Sequence, residues 1–510
     1  MVVLEIDGNG LTLEDVVRVA LRGQKVKLRP DSLGGIMAAY REVEKAIERN
    51  LKVYGVTTGL GHLSEVRISR ERTKKLQENL ILSHCSGVGD EFPVDICRAM
   101  MLLRANALAK GFSGVRPGII EGLLTLLNAG VTPVIYKQGS VGASGDLVPL
   151  AHMALLLTGR GQARLDGKLI SGAEGLKVAG LEPTELEAKE ALALVNGTQA
   201  MAAVCALTLA RGLHLVKVAD IAGAMSLEAL GGTAAAFDPR IHRVRPIPGQ
   251  GETAENILRI VQGSSITPPH LNSRVQDAYS LRCMPQVHGS VREVLKFARY
   301  ILEIELNSAT DNPLVFPEDG VFLSGGNFHG EPLAFIGDFM GIALSELANI
   351  SDRRCARLTD PHCSDLPPSL SNFASEGNCF GILQIVTASL VSDNKTLAHP
   401  ASVDSVPTSA NQEDHVSMGL NAARKAHDIS NNLENVLAIE CICAAQALAF
   451  VGPERCGRGT RAAHEAIRTR MPWVDGDAAR IFSDDIRTVR EFVSEEGLVR
   501  AVVEAVGELH

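Results

Sequence analysis

No HExxH pair stands among the fourteen histidines of this 510-residue chain, and no GxxxxGK[ST] loop or strand-linked GxGxxG occurs in it. The usual signatures of zinc hydrolysis, nucleotide binding and dinucleotide binding are therefore absent. Positive charge is not in excess either: 50 Lys and Arg against 59 Asp and Glu give a formal net charge of -9, which argues against a nucleic-acid surface as the main function. The ten cysteines are scattered, and their one close pair, Cys441-Ile442-Cys443, has the wrong spacing for a zinc knuckle or a thioredoxin-type redox site. Reduced, mostly buried thiols are expected. The opening MVVLEIDGNG lacks a basic leader with a long apolar core, and no apolar run reads as long and charge-free enough to span a bilayer. The expectation is a soluble, cytoplasmic chain with no metal and no membrane or nucleic-acid partner, which leaves small polar or zwitterionic ligands open.

Aromatic residues are also scarce, at 4%, and strand signals are few and short. One is ARLDGKLI (163–170), with Asp166-Gly167 as a hairpin turn. Helical spacing is common, as in Ile36, Tyr40, Val43 and Ile47, which fall on one face. Two stretches, 331–358 and 414–451, contain no proline after the first turn and exceed the usual globular helix length. Such helices must cover one another. The fold expected is mainly α: a mixed, loop-rich N-terminal domain (1–200), a long central helical bundle (201–455) assembled across subunits, and a C-terminal helical tail (456–510).

The chemistry gathers around GSVGASGDLVPLAH (139–152), where Ser144 stands between Ala143 and Gly145. A plain turn is one reading. A hydrolase nucleophile elbow is a second, weakened because Asp146 takes the place of the far glycine. The third is a backbone reaction in which the Gly145 nitrogen closes onto the Ala143 carbonyl and dehydration leaves an electrophilic methylidene. A helix over 145–159, with Asp146 and Pro149 in its first turn, would set Ser144 at a helix N-terminus that favours developing negative charge. Other candidates are Tyr54 in the glycine-punctuated VYGVTTGLGH (53–62), and Tyr279 and Arg282, three apart in DAYSLRCMPQVHG. Asn327-Phe328-His329 follows a Gly-Gly turn, and Glu413 with Asp414 stands at the expected start of the helix 414–451, where capping is the plain alternative.

Taken together, YGVTTGLG, GSVGASGDLVPLAH, LVNGTQA, QDAYSLRCMPQV, NSATDNPLVF, GGNFHGEP and SVPTSANQEDHVSMG resemble, in order, the ammonia-lyases and aminomutases that form a methylidene-imidazolone (MIO) from an internal Ala-Ser-Gly. The likeness is strongest to histidine-directed members, through Ser83-His84 in ILSHCSG and Glu413 in NQEDH. GVTTG departs from the GINTG of the family, and Gly381 stands where a methionine often lines the imidazole pocket.

The resemblance implies an aspartase/fumarase-like fold and a homotetramer with sites shared between subunits. It implies an MIO cofactor formed autocatalytically from Ala143, Ser144 and Gly145, with no dissociable cofactor. The reaction implied is loss of ammonia from L-histidine to give urocanate, beginning with attack by either the amine or the imidazole. Tyr54 would remove the β-proton, Arg282 would hold the carboxylate, and Asn196, Tyr279 and Gln276 would orient the prosthetic ring and the amine. Glu413 and His84 would engage the imidazole, and Phe328 would wall the pocket. A tyrosine or phenylalanine lyase or aminomutase is the nearest alternative, and a serine hydrolase or an inactive helical scaffold belongs to other classes. For Tyr54, a helix dipole worth roughly 2 kcal/mol at best would bring a phenol of pKa about 10 down to about 8.5.

Overall fold

Local signals set many of the helix ends. Thr12 opens Leu13–Arg22 with a reciprocal capping box in which its hydroxyl accepts from the Asp15 amide and the Asp15 carboxylate accepts from the Thr12 amide; Gly23, at φ +66°, closes the helix. Ser171 and Glu174 repeat the box at Gly172–Ala179. On Leu33–Glu48, Ile36 and Val43 are buried and Ile47 packs against the cluster that holds Val43, while Tyr40 donates its hydroxyl to Glu187 at 2.6 Å. The expected face is the buried one.

The computed structural model describes residues 3–59, 61, 65–267, 275–376, 379–472 and 480–510; Leu60 and His62 of VYGVTTGLGH lie outside them. Among the described residues the chain is mainly helical, with four small sheets of short strands. The ARLDGKLI hairpin forms as expected: Leu165 pairs with Lys168 across Asp166 (φ +48°) and Gly167 (φ +76°), the two left-handed positions a two-residue turn of this kind needs.

One long helix runs Glu331–Thr359, close to the expected 331–358, but the other begins only at Gly419 and ends at Val451. The left-handed backbone of Met418 (φ +53°) and the pairing of Thr408 with Glu413 keep 414–418 out of the helix. Glu413 and Asp414 therefore do not cap it. The helix after the Ala-Ser-Gly turn is likewise shorter, Leu147–Leu157 in place of 145–159.

Three helices, Gln199–Ala229, Glu331–Thr359 and Gly419–Val451, are long and apolar enough to cross a membrane by length and composition, which corrects the expectation that no such run exists. Their apolar stretches are 72%, 72% and 78% buried inside the protein, the situation of a helix apolar all round at the centre of a bundle. All ten cysteines are free, and six are buried.

The chain divides into two compact units. The first comprises Met1–Ala210, Ala298–Asp338 and Pro400–Arg424, and the second Arg211–Phe297, Phe339–His399 and Lys425–His510. Four of the five division points fall inside helices, the three long ones and Met284–Glu305, and the fifth lies between His399 and Pro400, so neither unit is one consecutive segment of chain. All four sheets belong to the first unit, whose helix Val94–Ala109 is buried almost throughout, Arg104 and Asn106 included. In the second, fully buried Arg354 and Glu440 form a two-point ion pair (2.5 and 2.8 Å), and Ser226 and Ser351 also donate to Glu440. Both carboxylate oxygens are thus satisfied, as burial of a charge requires.

Candidate active site

The Ala143-Ser144-Gly145 turn is wedged against the residues before the helix Gln199–Ala229. Gly145 (φ +71°) pairs with Gly197, and a Cβ added at Gly145 would overlap the Gly197 carbonyl. Only glycine fits. Asn196, almost fully buried, donates from Nδ2 to the Ser144 carbonyl at 2.8 Å, and its Oδ1 is buried with no hydrogen-bond partner among the described residues. A tripeptide turned tightly on itself, with an amide aimed at its carbonyl and an unpaired acceptor beside it, fits a ring closed between Gly145 and Ala143.

Asp146 stands just before the helix, at the N-cap and not inside the first turn, but does not cap: no side-chain bond reaches its helix. Its oxygens accept instead from Ser140 Oγ (2.8 Å) and the Met201 amide (2.7 Å), tying the turn to the Gln199–Ala229 helix. Complete burial pushes its carboxyl up to about 7 against these bonds. A second buried group supports the same place. Arg104 donates from Nη1 to the Asn196 carbonyl (2.8 Å) and to Gln199 Oε1 (2.7 Å), while Gln199 donates to Thr310 Oγ1 (2.8 Å). Burial lowers Arg104 to about 10, so it stays charged at neutral pH. Nothing in sequence spacing marks Arg104, which lies 92 residues before its partner.

Ser144 opens into a cavity of about 510 Å³, all of whose described lining belongs to the first unit. Tyr54, His84, Ala143, Asn196, Phe328 and Glu413 line it too, so seven of the expected residues meet around one space. Glu413 accepts from Ser144 Oγ (3.1 Å) on one oxygen and from Thr408 Oγ1 (2.6 Å) on the other. His84, in the last turn of Arg70–His84, bonds through Nδ1 to the Leu80 carbonyl at 2.8 Å. With the proton on that nitrogen, Nε2 is left as an acceptor. Ser83 is exposed and is not part of the lining. Among the described residues neither bonding partner of Ser144 is a histidine, the base that the hydrolase reading requires.

The Tyr54 hydroxyl accepts from the Gly61 amide at 3.2 Å. Burial raises its pKa, the Glu413 charge raises it further, and the Gly61 bond only partly opposes them. The expected fall toward 8.5 is therefore overturned for this chain by itself. Desolvation outweighs a helix dipole for a buried phenol with a carboxylate beside it.

A family model described as aromatic amino acid lyase matches residues 11–469. The chain belongs to the aromatic amino acid lyase family. It is 50% identical over 502 residues to the histidine ammonia-lyase of Symbiobacterium thermophilum, covering 98% of this chain and 99% of that one. Among solved structures, a histidine ammonia-lyase from Trypanosoma cruzi superposes with a TM-score of 0.92 at 39% identity, covering 99% of this chain and 96% of that one. A tyrosine aminomutase from Streptomyces globisporus gives 0.93 at 37%, covering 100% of both.

Three residues that the lyase resemblance assigns to the site lie in the second unit and do not line this cavity: Gln276, Tyr279 and Arg282. Tyr279 and Arg282 begin and end a one-turn helix, and the Arg282 guanidinium lies 4.6 Å from the centre of the Tyr279 ring, a cation–π arrangement. Arg282 also donates to the Asp277 carbonyl at 3.0 Å, and Tyr279 is 71% exposed. Gly381, which opens Gly381–Leu397 in the second unit, has the Ser369 hydroxyl 2.8 Å from where a Cβ would be, so a methionine there would need Ser369 to move.

Proposed function

We propose that the cavity eliminates ammonia from L-histidine to give trans-urocanate, the first step of histidine degradation, in the cytoplasm. The observation that carries this reading is the meeting of Tyr54, His84, Asn196, Phe328 and Glu413 around Ser144 in one space whose ring end is polar. The near half-identity to a full-length histidine ammonia-lyase supports it.

The residues fit a 4-methylidene-imidazole-5-one made from Ala143, Ser144 and Gly145, which would supply an electrophile that a poor amine leaving group requires. Asn196 would hold that ring through the bond it now makes to the Ser144 carbonyl. Tyr54 takes the β-proton on its phenolic oxygen. Its raised pKa calls for a positive charge nearby, which the substrate ammonium and Arg282 would supply. Glu413 and His84 Nε2 engage the two imidazole nitrogens, and Phe328 closes the side of the ring. Gln276, Tyr279 and Arg282 come from another copy of the chain in a homotetramer, with Arg282 taking the substrate carboxylate by a two-point bond.

The likeness to a tyrosine aminomutase makes an aminomutase the second reading. Incubation with histidine, tyrosine and phenylalanine separately, followed by product identification, separates the two. Urocanate and free ammonia from histidine alone are expected, and a β-amino acid, or turnover of tyrosine in preference to histidine, would replace this reading with the second.

A further inference from the structure

Behind the Ala143-Ser144-Gly145 turn, Arg104 is bonded in a way that its own burial does not explain. The guanidinium is fully buried, yet only Nη1 is bonded among the described residues, to the Asn196 carbonyl and to Gln199 Oε1, while Nε and Nη2 are buried without a partner there. Asp311, the acid whose charge favours it, is already occupied: one oxygen accepts from Lys189 Nζ (2.7 Å) and the other from Ser113 Oγ (2.9 Å). Arg104, Lys189 and Asp311 are all buried, so this group holds two positive charges against one negative. A buried charge without a counter-charge is costly to the fold. The surplus faces the turn through a single residue, Asn196, whose backbone carbonyl accepts from Arg104 and whose Nδ2 donates to the Ser144 carbonyl at 2.8 Å. The next carbonyl, that of Gly197, accepts from the Asp146 amide at 2.8 Å.

We propose that Arg104 is a positioning residue for the self-cyclisation of the turn: through Asn196, its charge favours the negative charge that develops on the Ser144 carbonyl oxygen as Gly145 closes onto Ala143. This rests on the turn being the source of a methylidene-imidazolone. Ring closure forms a bond from the Gly145 nitrogen to the Ala143 carbonyl carbon, and the Ala143 oxygen leaves as water with the protons of the Gly145 and Ser144 amides. The Ser144 hydroxyl then leaves as a second water with the Ser144 Cα proton. The attacking nitrogen shares its amide with the Ser144 carbonyl, so as it gives up its proton the charge spreads to that oxygen, where Asn196 donates. Donors fixed in advance where charge develops are the effective ones, and in a buried site a nearby cation acts with little screening.

The test follows full-length protein from cell-free synthesis, sampling the mass of the peptide containing Ala143, Ser144 and Gly145 over time. Losing one direct donor of this kind costs about a hundredfold to a thousandfold; for a residue acting through another, Arg104→Met should slow the loss of water by at least about tenfold while cooperative thermal unfolding is kept. Arg104→Lys restores a charge, but one that titrates, because burial lowers a lysine's pKa. The ratio of its maturation rate to that of wild type should therefore fall as pH rises from about 6 to about 9, a window below the wild-type arginine's value of about 10. Asp146, Lys189, Glu305 and Asp311 around the turn, with Tyr54 and Glu413 on the cavity side, are the same in both proteins, so the ratio isolates position 104. A purely structural role would leave that ratio flat. Should Arg104→Met fail to fold, the Arg104→Lys profile decides alone. Folded Arg104→Met that matures at the wild-type rate, or a ratio independent of pH, would overturn this proposal and leave the ring reading standing; a full mass in active wild type would overturn both.

Discussion

Glu413 touches the Ser144 hydroxyl and also raises the pKa of Tyr54, so a change at this one residue should be felt in two ways. If Tyr54 acts as phenolate, kcat/KM for histidine rises with pH through the Tyr54 value. Glu413→Gln removes a neighbouring negative charge, which lowers that value, so the ascending limb of the pH profile should move to lower pH even as turnover drops. A limb that stays in place, or moves up, would remove Glu413 from the electrostatics of the base. The same variant should erode the preference for histidine over phenylalanine, which wild type should show by orders of magnitude because an apolar ring leaves Glu413 and His84 unpaired. Measuring kcat/KM for both substrates in both proteins checks this. At this scale the sequence was informative: YGVTTG, ILSHCSG, LVNGTQ, GGNFHG and NQEDH each contributed a residue to the cavity. What it did not carry was the protonation of Tyr54, because desolvation depends on what packs around a residue rather than on its neighbours in sequence.

The elements around Ser144 are joined by contacts that leave little room for change. A Cβ added at Gly197 (φ +149°) would lie 2.5 Å from Arg104 Nη1 and from Gln199 Oε1. Gly197→Ala should therefore displace Asn196 and Gly145 together, lowering turnover far more than the thermal unfolding midpoint; calorimetry beside kinetics would show it, and unimpaired turnover would mean that this junction does not position the turn. Asp146 offers a pH test. Its folded pKa of about 7 exceeds the ordinary carboxylate value of about 3.9, so between these pH values the folded chain keeps a proton that the unfolded chain has lost. This group's contribution to stability is thus complete at low pH and falls as pH rises from about 4 to about 7. The difference in unfolding midpoint between wild type and Asp146→Asn should move against wild type over that window, and a pH-independent difference would contradict the raised value. Element boundaries were only partly legible. The hairpin at Asp166-Gly167 followed from its turn residues, whereas the late start of Gly419–Val451 depended on left-handed backbone at a methionine, which no turn rule anticipates.

For the whole molecule, helical spacing conveyed the long-helix architecture, but the grouping into compact units did not follow chain order, because single helices contribute to both. The expected apolar-run limit also failed, since helices buried on every side can be as apolar as membrane spans. If the site is shared between copies, Tyr54→Phe and Tyr279→Phe proteins, each inactive, should regain activity when dissociated together and reassembled, since some sites would then hold both tyrosines. No recovery in verified mixed assemblies would place each site within one chain.

The central claim is that this turn makes its own electrophile. The most direct measurement is the mass of the peptide containing Ala143, Ser144 and Gly145, taken from protein that releases ammonia from histidine. The account predicts a mass short of the sequence value by the water lost in ring closure and in dehydration of the serine, with no shortfall and no turnover in Ser144→Ala. A full, unshortened mass in active wild-type protein would contradict it.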